Sequence, residues 1–171
     1  GLIALTGCLA SRFAGRLADG REDEARAHVD QLVGALGAEN VYFEIQNNGI
    51  AAQDRANEGI VRIAREMGGS LVGTGDVHYL RHEDHRHHTA LLCVQTKSTL
   101  ADPRMIFETN EFYLRNNEQM AEAFKEWPDA IASTVEIAER CNVELELGRQ
   151  LIPRFLPEGD DEKAYLAQLV G

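Results

Sequence analysis

The stretch Ser70-Leu-Val-Gly-Thr-Gly-Asp-Val-His-Tyr-Leu80 constrains this chain more than any other. A short apolar run, Leu71-Val72, follows a helical pattern, breaks into Gly73-Thr74-Gly75 and then carries Asp76 and His78. Bounded by glycines, a run of this length reads as a buried strand of an α/β fold. Alternate side chains of an extended segment share a side, which puts Asp76 and His78 together, with Cα atoms about 6–7 Å apart. A carboxylate and an imidazole at the point where a strand becomes a loop can share one divalent metal. A turn aspartate beside a surface histidine is the plainer reading of the same spacing.

The pattern recurs along the chain. Leu2–Thr6 is a short apolar run ending in Gly7-Cys8, and a short helix is expected over Leu9–Ala18, closed by Asp19-Gly20. Arg21–Leu36 carries Ala25, Val29, Leu32, Val33 and Leu36 at helical spacing, with Gly37 as its C-cap. Val41–Gln46 is aromatic and β-branched enough for a strand, and Asn47-Asn48-Gly49 turns it. Ala51–Met67 is the clearest helix, with Ile60, Ile63, Ala64 and Met67 on one stripe and Gly68-Gly69 as its stop. Strands separated by helical crossings give the βα rhythm of a parallel sheet. Ligand sites of such folds lie at the carboxyl ends of the strands. Here those ends offer Cys8, then Glu44 and Gln46, then Asp76 and His78.

Further on, His82–Val94 reads as a helix, Thr99–Phe107 as a loop, Phe112-Tyr113-Leu114 as a short strand and Asn116–Lys125 as a helix. Pro128 is placed to open another helix, with Ile131, Val135, Ala138 and Cys141 as its stripe. Leu151–Gly159, with Pro153 and Pro157, reads as an extended linker, and Asp160-Asp161 as the cap of a last helix, Glu162–Val170.

With 28 acidic and 17 basic residues the net charge is −11, which makes this segment by itself a poor holder of DNA or RNA. An acidic segment can still belong to a nucleic-acid enzyme whose other domains are basic. No apolar run approaches the ~20 residues that cross a bilayer, so no membrane partner is expected. The three cysteines are widely spaced and suit a reducing cytoplasm. Gly1 is not an initiator methionine, and the first residues already read as a strand, so a longer parent protein is expected.

Among the candidate groups, His82, His85, His87 and His88 lie among Arg81, Glu83, Asp84 and Arg86, which is how a solvated first helical turn looks. His88 is the member nearest the apolar face. Cys8 is either a small buried residue or, from its place at a strand end, a ligand. Thiolate, imidazole and carboxylate together suit zinc, with manganese or iron as N/O-rich alternatives. Cys93 and Cys141 fall in apolar stripes and are expected in the core. Glu44 is either a base acting behind the metal or simply a strand-end carboxylate. No nucleophile elbow, phosphate loop or dinucleotide fingerprint is present.

Several stretches together carry a resemblance: Gly1-Leu-Ile-Ala-Leu-Thr-Gly-Cys-Leu9, Phe43-Glu-Ile-Gln46, Asn57-Glu-Gly59 and Gly75-Asp-Val-His-Tyr-Leu80. Leu91-Leu-Cys-Val-Gln-Thr96, Val135–Val143 and Leu151-Ile-Pro-Arg-Phe155 continue it in register. The sequence resembles the later half of a PHP (polymerase and histidinol phosphatase) domain, of the version at the amino end of bacterial replicative DNA polymerases. The resemblance implies an α/β fold made of the later βα units of an irregular (βα)7 barrel, over residues 1–145. Residues 146–171 would be the exit linker and start of the connection to the polymerase palm.

The resemblance also implies metal ligands at Cys8, Asp76 and His78, part of a site for up to three divalent ions (zinc, manganese or iron). Other ligands, and a polymerase site using magnesium, would lie elsewhere in the parent. It implies primed DNA and dNTPs as partners through other domains, together with the sliding clamp and other replisome subunits. The activity implied is DNA synthesis with a metal-dependent 3′–5′ proofreading exonuclease. Two alternatives remain: a structural or docking module of the polymerase, and a stand-alone PHP phosphoesterase, against which the Leu151–Phe155 exit stretch argues.

Overall fold

A computed structural model describes residues 1–149, 151–152 and 161–171. Three strands, β1 (Ala4–Leu5), β2 (Val41–Gln46) and β3 (Ser70–Thr74), form one parallel sheet in that order. The register pairs Leu5 with Tyr42 and runs from Tyr42 opposite Ser70 to Gln46 opposite Thr74. Helices α1 (Arg12–Ala18), α2 (Glu22–Leu36) and α3 (Ala51–Met67) make the crossings. The expected βα order and parallel pairing are thus present.

The core follows from the alternation along β2. Val41, Phe43 and Ile45 point to one face and join Phe13, Leu17, Val29, Ile60, Ile63 and Leu71 in a single apolar cluster. Tyr42, Glu44 and Gln46 share the opposite face, where they too are buried. The strand is covered on both sides, yet apolar on one and polar on the other. At the end of α3, Gly68 adopts a left-handed C-cap (φ 65°). Gly69 then passes so near Phe43 that a Cβ there would lie 2.3 Å from the ring.

Several boundaries depart from expectation. Strand β1 covers two residues, not Leu2–Thr6, because the Thr6 hydroxyl, rather than the backbone, accepts from the Glu44 amide (2.9 Å). Helix α1 begins at Arg12, not Leu9, because the Ser11 hydroxyl caps it by accepting from the Ala14 amide (3.1 Å). The segment expected as a helix from His82 is a 3₁₀ turn, His82–Asp84, followed by α4 (His85–Thr96). Phe112–Leu114 makes a single bridge, Tyr113 with Tyr79, instead of a strand, because its partner is itself a loop.

Helix α5 (Asn117–Ala123) starts from a reciprocal Asn116–Gln119 capping box, and α6 (Pro128–Arg140) opens on Pro128 as expected. Of the expected Ile131–Val135–Ala138–Cys141 stripe of α6, Ile131 packs against the core, whereas Val135, Ala138 and Cys141 are exposed. The small residues Ala130 and Ser133 are buried beside Ile131. This lets α6 approach the sheet closely where Gly73 has no side chain: a Cβ there would stand 3.2 Å from both Ile131 and Phe124. Cys93 is buried as expected; Cys141, one residue past the helix in an extended conformation, is exposed.

Residues Gly1–Cys141 form one compact unit and Asn142–Gly171 a second. In the second, α7 (Glu162–Val170) is capped by Asp161, whose carboxylate accepts from the amides of Lys163 and Ala164 (3.0 Å each). The expected linker lies largely outside the described residues, Pro153 and Pro157 included. No described helix is long and apolar enough to cross a membrane.

Candidate metal centre

The site is built at the carboxyl ends of the three strands. On β2, the Glu44 carboxylate is buried and bridges its two neighbours. One oxygen accepts from the Gly7 amide (3.1 Å), in the turn that carries Cys8. The other accepts from the Thr74 hydroxyl (2.5 Å), at the end of β3 before Asp76, and from the Gln46 amide (3.0 Å). Glu44 therefore fixes the Cys8 turn and the approach to Asp76 from one central position. Of the two readings of Glu44, a simple strand-end carboxylate and a group acting behind the metal, this bridging favours a positioning role.

Beyond Gln46 the polar network continues. The Gln53 amide donates to the side-chain oxygens of Gln46 (3.1 Å) and Asn48 (2.9 Å) and accepts from the Asn48 backbone amide (2.8 Å). Asn57 donates to the Gln46 carbonyl (2.7 Å). Asn48, fully buried, donates to the carbonyls of Gly75 and Glu111 (2.9 Å each), tying both loops to β2. Each of these buried amides is satisfied by another side chain or by a backbone group, as a polar interior requires. Sequence reasoning placed Gln46 at a strand end but missed Asn48, Gln53 and Asn57 as its partners. The signal was there: Gln53 and Asn57 are four apart at the start of α3, where a helical face can hold two amides against one strand.

Asp76 and His78 are brought together, though not by an extended strand. β3 ends at Thr74, and Asp76 has a left-handed backbone (φ 47°), a conformation unusual for a residue other than glycine. The turn sets the His78 Nδ1 at 2.7 Å from the Asp76 carbonyl oxygen and 3.9 Å from its carboxylate. Nδ1–H donating to the carbonyl fixes the tautomer and leaves the lone pair on Nε2. The His78 amide donates to the Phe112 carbonyl (2.8 Å), and the ring is held edge-on by Phe107 (4.7 Å between centroids), Phe112 (5.5 Å) and His88 (5.5 Å). An imidazole orientated through its Nδ1, beside a carboxylate, is the kind of donor pair a divalent metal takes.

His88 is the one of the four clustered histidines that packs inward. Its ring meets His78, Tyr79 and Phe107. Burial first, then the neighbouring His78, lowers its pKa below the ordinary histidine value and favours the neutral form. His82, His85 and His87 face outward, the last near Asp84 (3.4 Å). Cys8 is half-buried and lines a cavity of about 10 Å³ with Glu44, Gln46, Gln53 and Asn57. Among the described residues no three His, Cys, Asp or Glu side chains converge closely enough to hold a metal ion. The donor types of Asp76 and His78 thus fit part of a coordination sphere, which the described residues do not complete.

No protein-family model matches the chain. It is 41% identical to the DNA polymerase III subunit alpha of Thermus aquaticus over 99% of its own length and 14% of that protein's. It is 36% identical to that of Treponema pallidum over 99% of its length and 15% of the relative's. To that of Mycobacterium leprae it is 33% identical over 97% and 14%. The chain therefore spans about one seventh of the length of these curated relatives. Over nearly all of its residues it is homologous to one segment of DNA polymerase III subunit alpha.

Proposed function

We propose that this chain is a segment of a bacterial replicative DNA polymerase, the later part of a PHP domain in a DNA polymerase III alpha subunit. Similarity over 97–99% of the chain supports the polymerase assignment. The whole protein would extend primed DNA with dNTPs in the cytoplasm, using magnesium at a polymerase site in another domain, beside a sliding clamp and other replisome subunits.

The Asp76–His78 turn carries the reading of this segment as part of a proofreading 3′–5′ exonuclease. Asp76 supplies a carboxylate, His78 its Nε2, and Cys8 a sulfur, with further ligands coming from outside this span. Zinc, manganese or iron held there would lower the pKa of a bound water and neutralise charge on phosphoryl oxygens. The chain's own residues orient the ligands. The Asp76 carbonyl fixes the His78 tautomer, Phe107 and Phe112 hold its ring, and Glu44 sets the Cys8 turn.

The test uses the full-length polymerase with and without Asp76→Asn. Wild type is expected to bind two or three metal ions and to excise a mispaired 3′ terminus. The variant should lose metal and at least about 100-fold in excision, the scale expected when a group acting on the transition state is removed. Metal and excision absent from both proteins, with DNA synthesis intact, would make the segment a structural or docking module instead.

A further inference from the structure

On the outer side of α1 and α2 lies a concave surface of about 300 Å³, lined by Arg12, Arg16, Glu24, Ala27, His28 and Gln31. Arg12 and Arg16 are one turn apart on α1, and His28 and Gln31 are three apart on α2, so each pair faces the same way. Glu24 is the only acid in the lining, and it is already occupied. Both its oxygens accept from Arg21 (2.6 Å each), and Arg16 approaches one of them at 3.3 Å. Arg12 has no ion-pair partner among the described residues. The buried Nδ1 of His28 likewise has no hydrogen-bond partner among them.

Two guanidinium groups, those of Arg16 and Arg21, thus share the Glu24 carboxylate, and Arg12 in the same lining stands unpaired among the described residues, in a chain whose net charge is −11. This local excess of positive charge, with the Arg12 guanidinium unpaired, calls for an anion with several acceptor oxygens. We propose that the α1–α2 surface binds a phosphate group, with Arg12 and Arg16 as its charge partners and Gln31 as a further donor. The phosphate would come from a DNA strand's phosphodiester or from free inorganic phosphate. The first source rests on the proposed polymerase assignment and the second does not.

The test uses the full-length protein, its Arg12→Gln/Arg16→Gln variant and a Glu24→Gln variant. Binding of a fluorescent oligo-dT is followed by anisotropy from low to physiological salt. If the surface holds a strand, the double variant binds about 3–10-fold more weakly at low salt, and its log–log salt dependence is shallower by about 1–2. Glu24→Gln, which removes the opposing charge, then binds more tightly than wild type.

If the surface holds free phosphate, oligo-dT binding is unchanged. Phosphate then raises the melting temperature of wild type above that in chloride of equal ionic strength, and the double variant loses that rise. If the double variant matches wild type both in oligo-dT binding and in the phosphate-dependent rise of melting temperature, the proposal is overturned. Arg12→Gln alone, which breaks no ion pair, repeats both measurements if the double variant melts early without phosphate. Metal content and excision in the Asp76→Asn comparison report on the polymerase reading separately, so the two can fail independently.

Discussion

The ends of β2 and β3 are only one strand apart and are built oppositely. At the end of β2, Glu44, Gln46, Asn48, Gln53 and Asn57 are buried, and each is hydrogen-bonded to the others or to the backbone around them. At the end of β3, Asp76 and His78 stand partly in solvent on a left-handed turn, among aromatic rings that support but do not enclose them. The first region has used up its polar capacity internally and can only hold its neighbours in place. The second keeps a carboxylate and an imidazole nitrogen available. One chain thus separates the work of positioning from the work of binding, and the rigid part lies in the central strand.

The largest expected effect comes from breaking the closed end. Asn48→Ala removes donors to Gly75 and Glu111 and an acceptor for Gln53, leaving buried groups unpaired. A loss of about 3 kcal/mol in unfolding free energy is expected, from the cost of stranding several buried polar groups. Denaturant melts measure it. A loss below about 1 kcal/mol would mean that water replaces the amide, and that the β2 end is less closed than its hydrogen bonds imply.

What the sequence made legible follows the same division. β2 and α3 match their expected bounds, Val41–Gln46 and Ala51–Met67, because local propensity, burial pattern and caps agree there. The Asp76–His78 pairing was legible as a spacing, but its cause was not. Strand alternation predicts the neighbourhood, whereas a left-handed turn produces it, and nothing in Gly75-Asp76-Val77 announces a positive φ at the aspartate rather than the glycine. The inward face of α6 was read only in part: apolar periodicity correctly picks Ile131, which packs beside Gly73, but it favours the exposed Val135 over the small buried residues Ala130 and Ser133. Short β1 was overextended because a hydroxyl substituting for a backbone acceptor leaves no trace in hydropathy. Asn48, Gln53 and Asn57 read singly as turn and helix-surface residues; only the tertiary structure makes them a network.

The open end should respond in the contrary sense. Asp76→Gly relieves a left-handed residue of its Cβ, a gain of up to about 1 kcal/mol, and offsets it with the extra freedom glycine brings to the unfolded chain. Stability without metal should therefore change by less than about 0.5 kcal/mol. The Asp76 carbonyl that orders His78 survives the substitution, so only the carboxylate is lost. Melting and metal titration of the same variant separate the two effects. A drop comparable with that of Asn48→Ala would show that the β3 turn is itself structural and would dissolve the contrast.

The smallest effect belongs to neither end, and it calibrates both. Glu22, on α2, receives hydrogen bonds from Arg62 of α3 and from Arg26, which hold the pKa of its carboxyl at about 2, well below the usual glutamate range. A carboxylate whose pKa is depressed on folding stabilises the fold above its unfolded pKa and loses that contribution as pH falls through the folded one. The gap in melting temperature between wild type and Glu22→Gln should therefore be full at neutral pH and shrink from about pH 5 toward pH 2. Added salt should narrow it at neutral pH, because these charges lie at the surface. The Asn48→Ala gap has no ionisable group behind it and should keep its size over the same range. If both gaps shrink together, acid is loosening the whole fold, and the pH dependence cannot be assigned to the α2–α3 ion pairs.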